Sequence, residues 1–140
     1  MSDDAASFRR VPNEVFNQGN IDLIDELFSE DYVEHAAPPG VPADRDGLKA
    51  FVAGLREAFP DFHYEVLQQV QDGDTHVGYI RATGTMKGDF MGMPASGKSA
   101  AWDEMHIGRY SNGQIAEHWA VIDALGMMTQ LGFIPENPGG

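Results

Sequence analysis

The sequence predicts an α+β domain in which a curved antiparallel sheet wraps around helices and leaves an internal pocket. Three observations point there. Three helical patterns with one short extended piece among them occupy residues 7–59, and strand-like runs then follow one another to residue 122. Two tight-turn signals, Asp72-Gly73-Asp74 and Asn112-Gly113, join those runs as hairpins, since such turns need residues that tolerate positive φ. Helices segregated from antiparallel strands define the α+β class. The third observation is chemical: Glu104, His106, Glu117, His118 and Asp123 lie among the apolar residues of the last two strands. Ionisable groups inside an apolar sheet are costly unless paired, hydrogen-bonded or catalytic.

Taken in order, residues 1–6 read as a loose tail. Residues 7–18 carry helical spacing at Phe8, Val11, Val15 and Phe16, with Pro12 intruding. Proline fits a helix's first turn and bends its interior. Gly19 ends this helix, and Asn20 is placed to cap a second over residues 21–28. Residues 32–35 form a short extended piece closed by a stiff loop with Pro38, Pro39, Gly40 and Pro42. Asp44 or Asp46 caps a third helix running to Phe59, whose stripe of Leu48, Phe51, Val52, Leu55, Ala58 and Phe59 sets its core side. Strands are expected at 62–70, 75–86, 100–110 and 114–122. Asp123 caps a last helix at 124–131, and the tail is rich in proline and glycine. Residues 92–99, GMPASGKS, satisfy the phosphate-loop spacing, but a strand-like segment follows where that motif opens a helix.

The totals restrict function. A chain of 140 residues is one domain, with its core at about 8–132. A formal charge of −13 argues against nucleic acid and anionic membrane partners and suits a neutral, apolar small molecule. With no cysteine, disulfide and thiolate chemistry are excluded, which is compatible with a reducing cytosol; a cytoplasmic location is the expectation. The N-terminus lacks a signal-peptide core.

The phrases FNQGNIDLIDELFSEDYVEH, PPGVPADRDGLKAFVAGLREAFPDFHYEV, ATGTMKGDFMGMPASGK and NGQIAEHWAVIDALGMMTQLG resemble the SnoaL-like polyketide (ester) cyclases of the nuclear transport factor 2-like superfamily. The resemblance covers roughly residues 10–132. It implies a cone-shaped fold, a homodimer through the sheet, and an intramolecular aldol closure without metal or cofactor. It also implies a catalytic histidine in the fourth strand, matched by His106, and an aspartate acid/base in the fifth. That aspartate's position holds Ala120, and Asp123 matches a second acidic position three residues on.

Alternation along strands nominates the site. If His106 points inward, so do Trp102 and Glu104, and His118 and Ala120 face them; Glu117 and Trp119 then turn outward. The expected catalytic set is His106, Glu104, His118 and Asp123. Histidine titrates near neutrality, and a neighbouring carboxylate raises its basicity. Tyr32, His35, Trp102, Phe51 and Met91 are the expected substrate contacts, with Tyr32 able to donate to a developing oxyanion. His63 and His76 read as solvated. No metal is expected, since no helix carries paired ligands at H-E-x-x-H spacing. The leading functional reading is a cofactor-independent acid/base enzyme for a small apolar carbonyl or polyketide-like substrate, by aldol-type cyclisation or a related isomerisation. The alternative is a non-catalytic small-molecule binder. An epoxide hydrolase or dehydratase, needing Glu104 and Asp123 as a carboxylate pair, comes third.

Overall fold

The computed structural model describes residues 3–135. Of the sequence's two tails, Met1, Ser2 and residues 136–140 lie outside the described residues. Helix α1 spans Asp4–Arg10 and continues as a π-helical turn over Val11–Phe16. Helix formation thus begins earlier than the spacing predicts. Pro12 accounts for the wide turn: it has no N–H to donate to Phe8, and its ring crowds that carbonyl. The Asn17 N–H then reaches the Pro12 carbonyl, five residues back, at 3.0 Å.

A 3₁₀ turn at Ile21–Leu23 leads into α2, Ile24–Leu27. Asn20 precedes it, but its side chain makes no capping bond. Strand β1, Phe28–Glu34, starts four residues earlier than expected, because Phe28 is already extended. Helix α3, Arg45–Ala58, is capped by the Asp44 carboxylate, which accepts from the Gly47 N–H at 2.8 Å. Its buried face includes Val52, Leu55 and Ala58. Each large side chain so buried contributes roughly 1.5–3 kcal/mol.

Strands β2 (His63–Asp72), β3 (Thr75–Thr85), β4 (Ser99–Ser111) and β5 (Gln114–Ile122) follow, and α4 (Ala124–Leu131) ends the fold. Gly132, at φ 91°, supplies the left-handed stop that closes α4. The sheet order is β1-β5-β4-β3-β2. Its hairpins are antiparallel as expected, but β1 pairs in parallel with β5. The chain crosses from one sheet edge to the other through α3, so β1 and β2 occupy opposite edges. Residues 92–98 run straight into β4, with no helix after them.

The core lies between the concave face of the sheet and the helices, with Phe59, Ile24, Met86, Ile115 and Val52 fully buried. Phe8 reaches from α1 onto Gly78 and Gly108, where an added Cβ would come within 3.2 and 3.0 Å of its ring. His76 is not solvated: it is fully buried between the rings of Phe8 and Tyr110. The expectation failed because β3 directs His76 under α1. No helix among the described residues is long and apolar enough to cross a membrane.

Candidate active site

Register decides which side chains meet. Strand β4 pairs with β5 so that His106 stands opposite Ala120, Glu104 opposite Ile122 and Gly108 opposite His118. Trp102, Glu104, His106, His118 and Ala120 all line one cavity of about 370 Å³, together with Tyr32, Phe51 and Met91. The remaining wall is largely apolar: α3 supplies Leu48 and Leu55, and the proline loop supplies Pro38, Pro39 and Pro42. Met91, 48% exposed, sits with Phe90 on the glycine-rich loop. A second, smaller recess of about 50 Å³ lies under α1 and the π-turn and shares His106 and His118 as lining.

The polar groups form one continuous chain. Glu104, 6% exposed, accepts from the Tyr64 hydroxyl (2.7 Å) and the Trp102 indole N–H (2.7 Å). Its Oε1 also lies 2.7 Å from His106 Nε2. His106 Nδ1 is 3.0 Å from His118 Nε2, and His118 Nδ1 is 2.6 Å from Glu34 Oε2. Glu34 further accepts from the Tyr32 hydroxyl (3.2 Å) and the Ala36 N–H (3.1 Å). Because each carboxylate already accepts from other donors, it is an acceptor for its imidazole too. His106 therefore carries a proton on Nε2, and His118 on Nδ1.

Electrostatics follow from this packing. Burial tends to raise the carboxyl of Glu104, but the hydrogen bond and charge of His106, with the Tyr64 and Trp102 donors, hold it below its ordinary value. Glu34 is likewise lowered: burial opposes, and His118, Ala36 and Tyr32 prevail. Burial pushes the Tyr64 hydroxyl well up, reinforced by the charge of Glu104. Tyr32 is raised by burial and then by Glu34. His118 is lowered, first by burial and also by His106, against the pull of Glu34.

Several expected site residues stand elsewhere. Asp123 is exposed and caps α4, accepting from the Gly126 N–H at 2.9 Å, and it is not among the cavity-lining residues. Glu104 lines the cavity and Asp123 does not, so the two-carboxylate hydrolase arrangement lacks its second member. His35 also does not line the cavity. It pairs with Glu117 at 2.6 Å and stacks on Trp119 at 4.8 Å, on the opposite face of the sheet. Alternation explains this: His35 lies three residues from Tyr32, an odd spacing, whereas Glu34 lies two away and shares its face. The same rule would have found Glu34. Tyr64 was legible in the period-two run Phe62, Tyr64, Val66. The Tyr32 hydroxyl is engaged with Glu34, so it is not free to serve an oxyanion as expected.

A mostly apolar cavity floored by a carboxylate–imidazole–imidazole–carboxylate chain, inside a curved α+β fold, is the architecture of the SnoaL-like proteins. The SnoaL-like polyketide cyclase family model matches residues 6–131, and the chain belongs to that family. It is an enzyme of the SnoaL cyclase type. Aklanonic acid methyl ester cyclase DnrD of Streptomyces peucetius is 30% identical over 123 residues, covering 85% of this chain and 84% of its own length. Nogalonic acid methyl ester cyclase of Streptomyces nogalater is 26% identical over 119 residues, covering 84% and 89%. Among solved structures, TsrD from Streptomyces laurentii matches with a TM-score of 0.82 at 25% identity, over 92% of this chain and 97% of its own. IdmH from Streptomyces antibioticus matches with a TM-score of 0.79 at 31% identity, over 92% and 98%.

Proposed function

We propose that this enzyme closes a ring in a neutral, largely apolar, polyketide-like carbonyl compound by intramolecular aldol addition, without a cofactor. The observation that carries the reading is the His106 imidazole, hydrogen-bonded to the buried Glu104 and facing an apolar cavity. In the step, a ring nitrogen of the His106/His118 pair takes a proton from carbon next to a carbonyl. The enolate carbon then bonds to a second carbonyl carbon of the same molecule, and that oxygen receives a proton. The product is an isomer of the substrate, so no electron acceptor enters the balance. Glu104 orients His106 by accepting from its Nε2–H, and His118 serves as the second acid/base. With both tyrosine hydroxyls engaged by carboxylates, the imidazolium is the donor for the developing alkoxide.

The ionisable floor favours this reading over a passive binder, which needs none of that costly arrangement. A homodimer through the outer sheet face belongs to the same proposal. It is supported by the exposure there of Met105 (42%) and Val121 (71%), and light scattering on the purified chain reads it directly. The substrate test uses aklanonic and nogalonic acid methyl esters, the compounds for which the relatives are named. We expect an isomer of equal mass to form, and His106→Gln to slow that formation by about a hundredfold or more. Undiminished turnover by His106→Gln removes the mechanism.

A further inference from the structure

Counting protons along the chain yields a constraint that no single pair shows. Glu104, His106, His118 and Glu34 make three successive contacts of 2.7, 3.0 and 2.6 Å. A hydrogen bond needs one proton per contact. The carboxylates bring none, since the remaining donors around them, Tyr64, Trp102, Tyr32 and the Ala36 N–H, already point at their oxygens. Two neutral imidazoles bring two protons, used toward Glu104 and Glu34. The lone pairs of His106 Nδ1 and His118 Nε2 would then face each other. Two imidazolium rings would set N–H against N–H at the same place. Only three ring protons satisfy the chain.

We infer that Glu34 is a positioning residue which, through His118, fixes the two imidazoles as one acid and one base sharing a single mobile proton. The catalytic part of this inference rests on the cyclase reading; the proton count does not. An aldol closure calls for that pairing, because it needs a base for carbon and an acid for oxygen in the same cavity. Both rings line the cavity, so the pair that shares the proton is within reach of a bound carbonyl compound. The neighbouring groups agree. Strand β1 offers Tyr32 and Glu34, β2 offers Tyr64, and β4 offers Glu104. The lining residues of α3 and the π-turn are apolar, while Arg9 of α1 lines the small recess together with Gln69, to which it is hydrogen-bonded. Two carboxylates around one shared proton leave the four groups with a net charge of −1, which suits a neutral substrate.

The test is a nuclear magnetic resonance count of imidazole protons on the full chain with ¹⁵N-labelled histidine, followed through the neutral range. The pH profile of kcat is measured in parallel for the unaltered protein and Glu34→Gln. We expect three ring protons on the pair, the third lost in one step as pH rises. Glu34→Gln removes the charge that favours the third proton, so it should move that step and the alkaline limb of kcat down by about one unit. Activity on the alkaline side then falls about tenfold, with KM little changed. Two ring protons throughout the neutral range overturn the inference. So does a Glu34→Gln protein that is slower at every pH with its limb unmoved, since that is a merely structural effect. Should Glu34→Gln fail to fold, the count on the unaltered protein decides alone. The count needs no substrate: three protons without cyclisation of any ester would sustain the shared proton and overturn the cyclase reading instead.

Discussion

His118 stands opposite Gly108 in the β4–β5 register, yet its Nε2 lies 3.0 Å from His106 Nδ1, one inward position along the neighbouring strand. The residue facing His106 is Ala120, whose methyl is small enough to leave His118 room for this diagonal contact. The position where the family resemblance leads one to expect an acidic partner is therefore vacant of charge. The imidazole that meets His106 comes from two residues earlier, His118, backed by the Glu34 carboxylate on β1.

Gly108 is needed for a different reason. A Cβ there would lie 3.0 Å from the Phe8 ring, so Gly108→Ala should push α1 outward and cost about 1–3 kcal/mol in urea unfolding. Phe8→Leu in the Gly108→Ala background should recover part of that loss. Equal urea midpoints for Gly108→Ala and the unaltered chain would show that α1 does not depend on this approach.

Tyr64 donates to a carboxylate that sits at 6% exposure. Tyr64→Phe deletes the donor and keeps the ring, which packs on Phe16 and Phe62. The expected cost is about 1.5–3 kcal/mol, the range for a hydrogen bond to a charged group. Glu104 should also become easier to protonate, with turnover falling at the acid end of its pH range first. A stability loss without that acid-side loss of turnover would confine Tyr64 to packing.

Stability should fall in acid through the two buried carboxylates. Both Glu34 and Glu104 are held below their ordinary values in the folded chain, so the unfolded chain binds protons first as pH drops. Their contribution is fully present above about pH 4.3, the ordinary glutamate value, and is lost as pH falls through the lowered folded values. Urea midpoints from neutral pH down to about pH 3 should decline, and Glu104→Gln should flatten that decline while lowering stability at neutrality. A slope unaffected by Glu104→Gln would assign the acid sensitivity to other groups.

Local chemistry made most of the fold legible in the sequence. The apolar stripe of α3, the Asp44 and Asp123 caps, the two hairpin turns and the start of β5 at Gln114 all follow from interactions within a few residues. Strand alternation then placed Trp102, Glu104, His106, His118 and Ala120 on one face and Glu117 and Trp119 on the other, because the period of two is a property of the backbone itself. Family resemblance was legible for the same reason, in contiguous phrases.

What the sequence left open depended on elements far apart in the chain. Strand β1 runs parallel to β5, and only that pairing carries Glu34 to His118 across 84 residues. His35, one residue on, is turned to Glu117 on the outer face by the same pleat. Asp123 was legible as a cap, but only the closed fold shows that this cap stands outside the cavity. His76 looked solvated until α1 covered it. Sequence fixes which faces are apolar because short-range periodicity controls them. Which distant side chains share a proton is set by sheet order and register, and those emerge only when the whole cone closes.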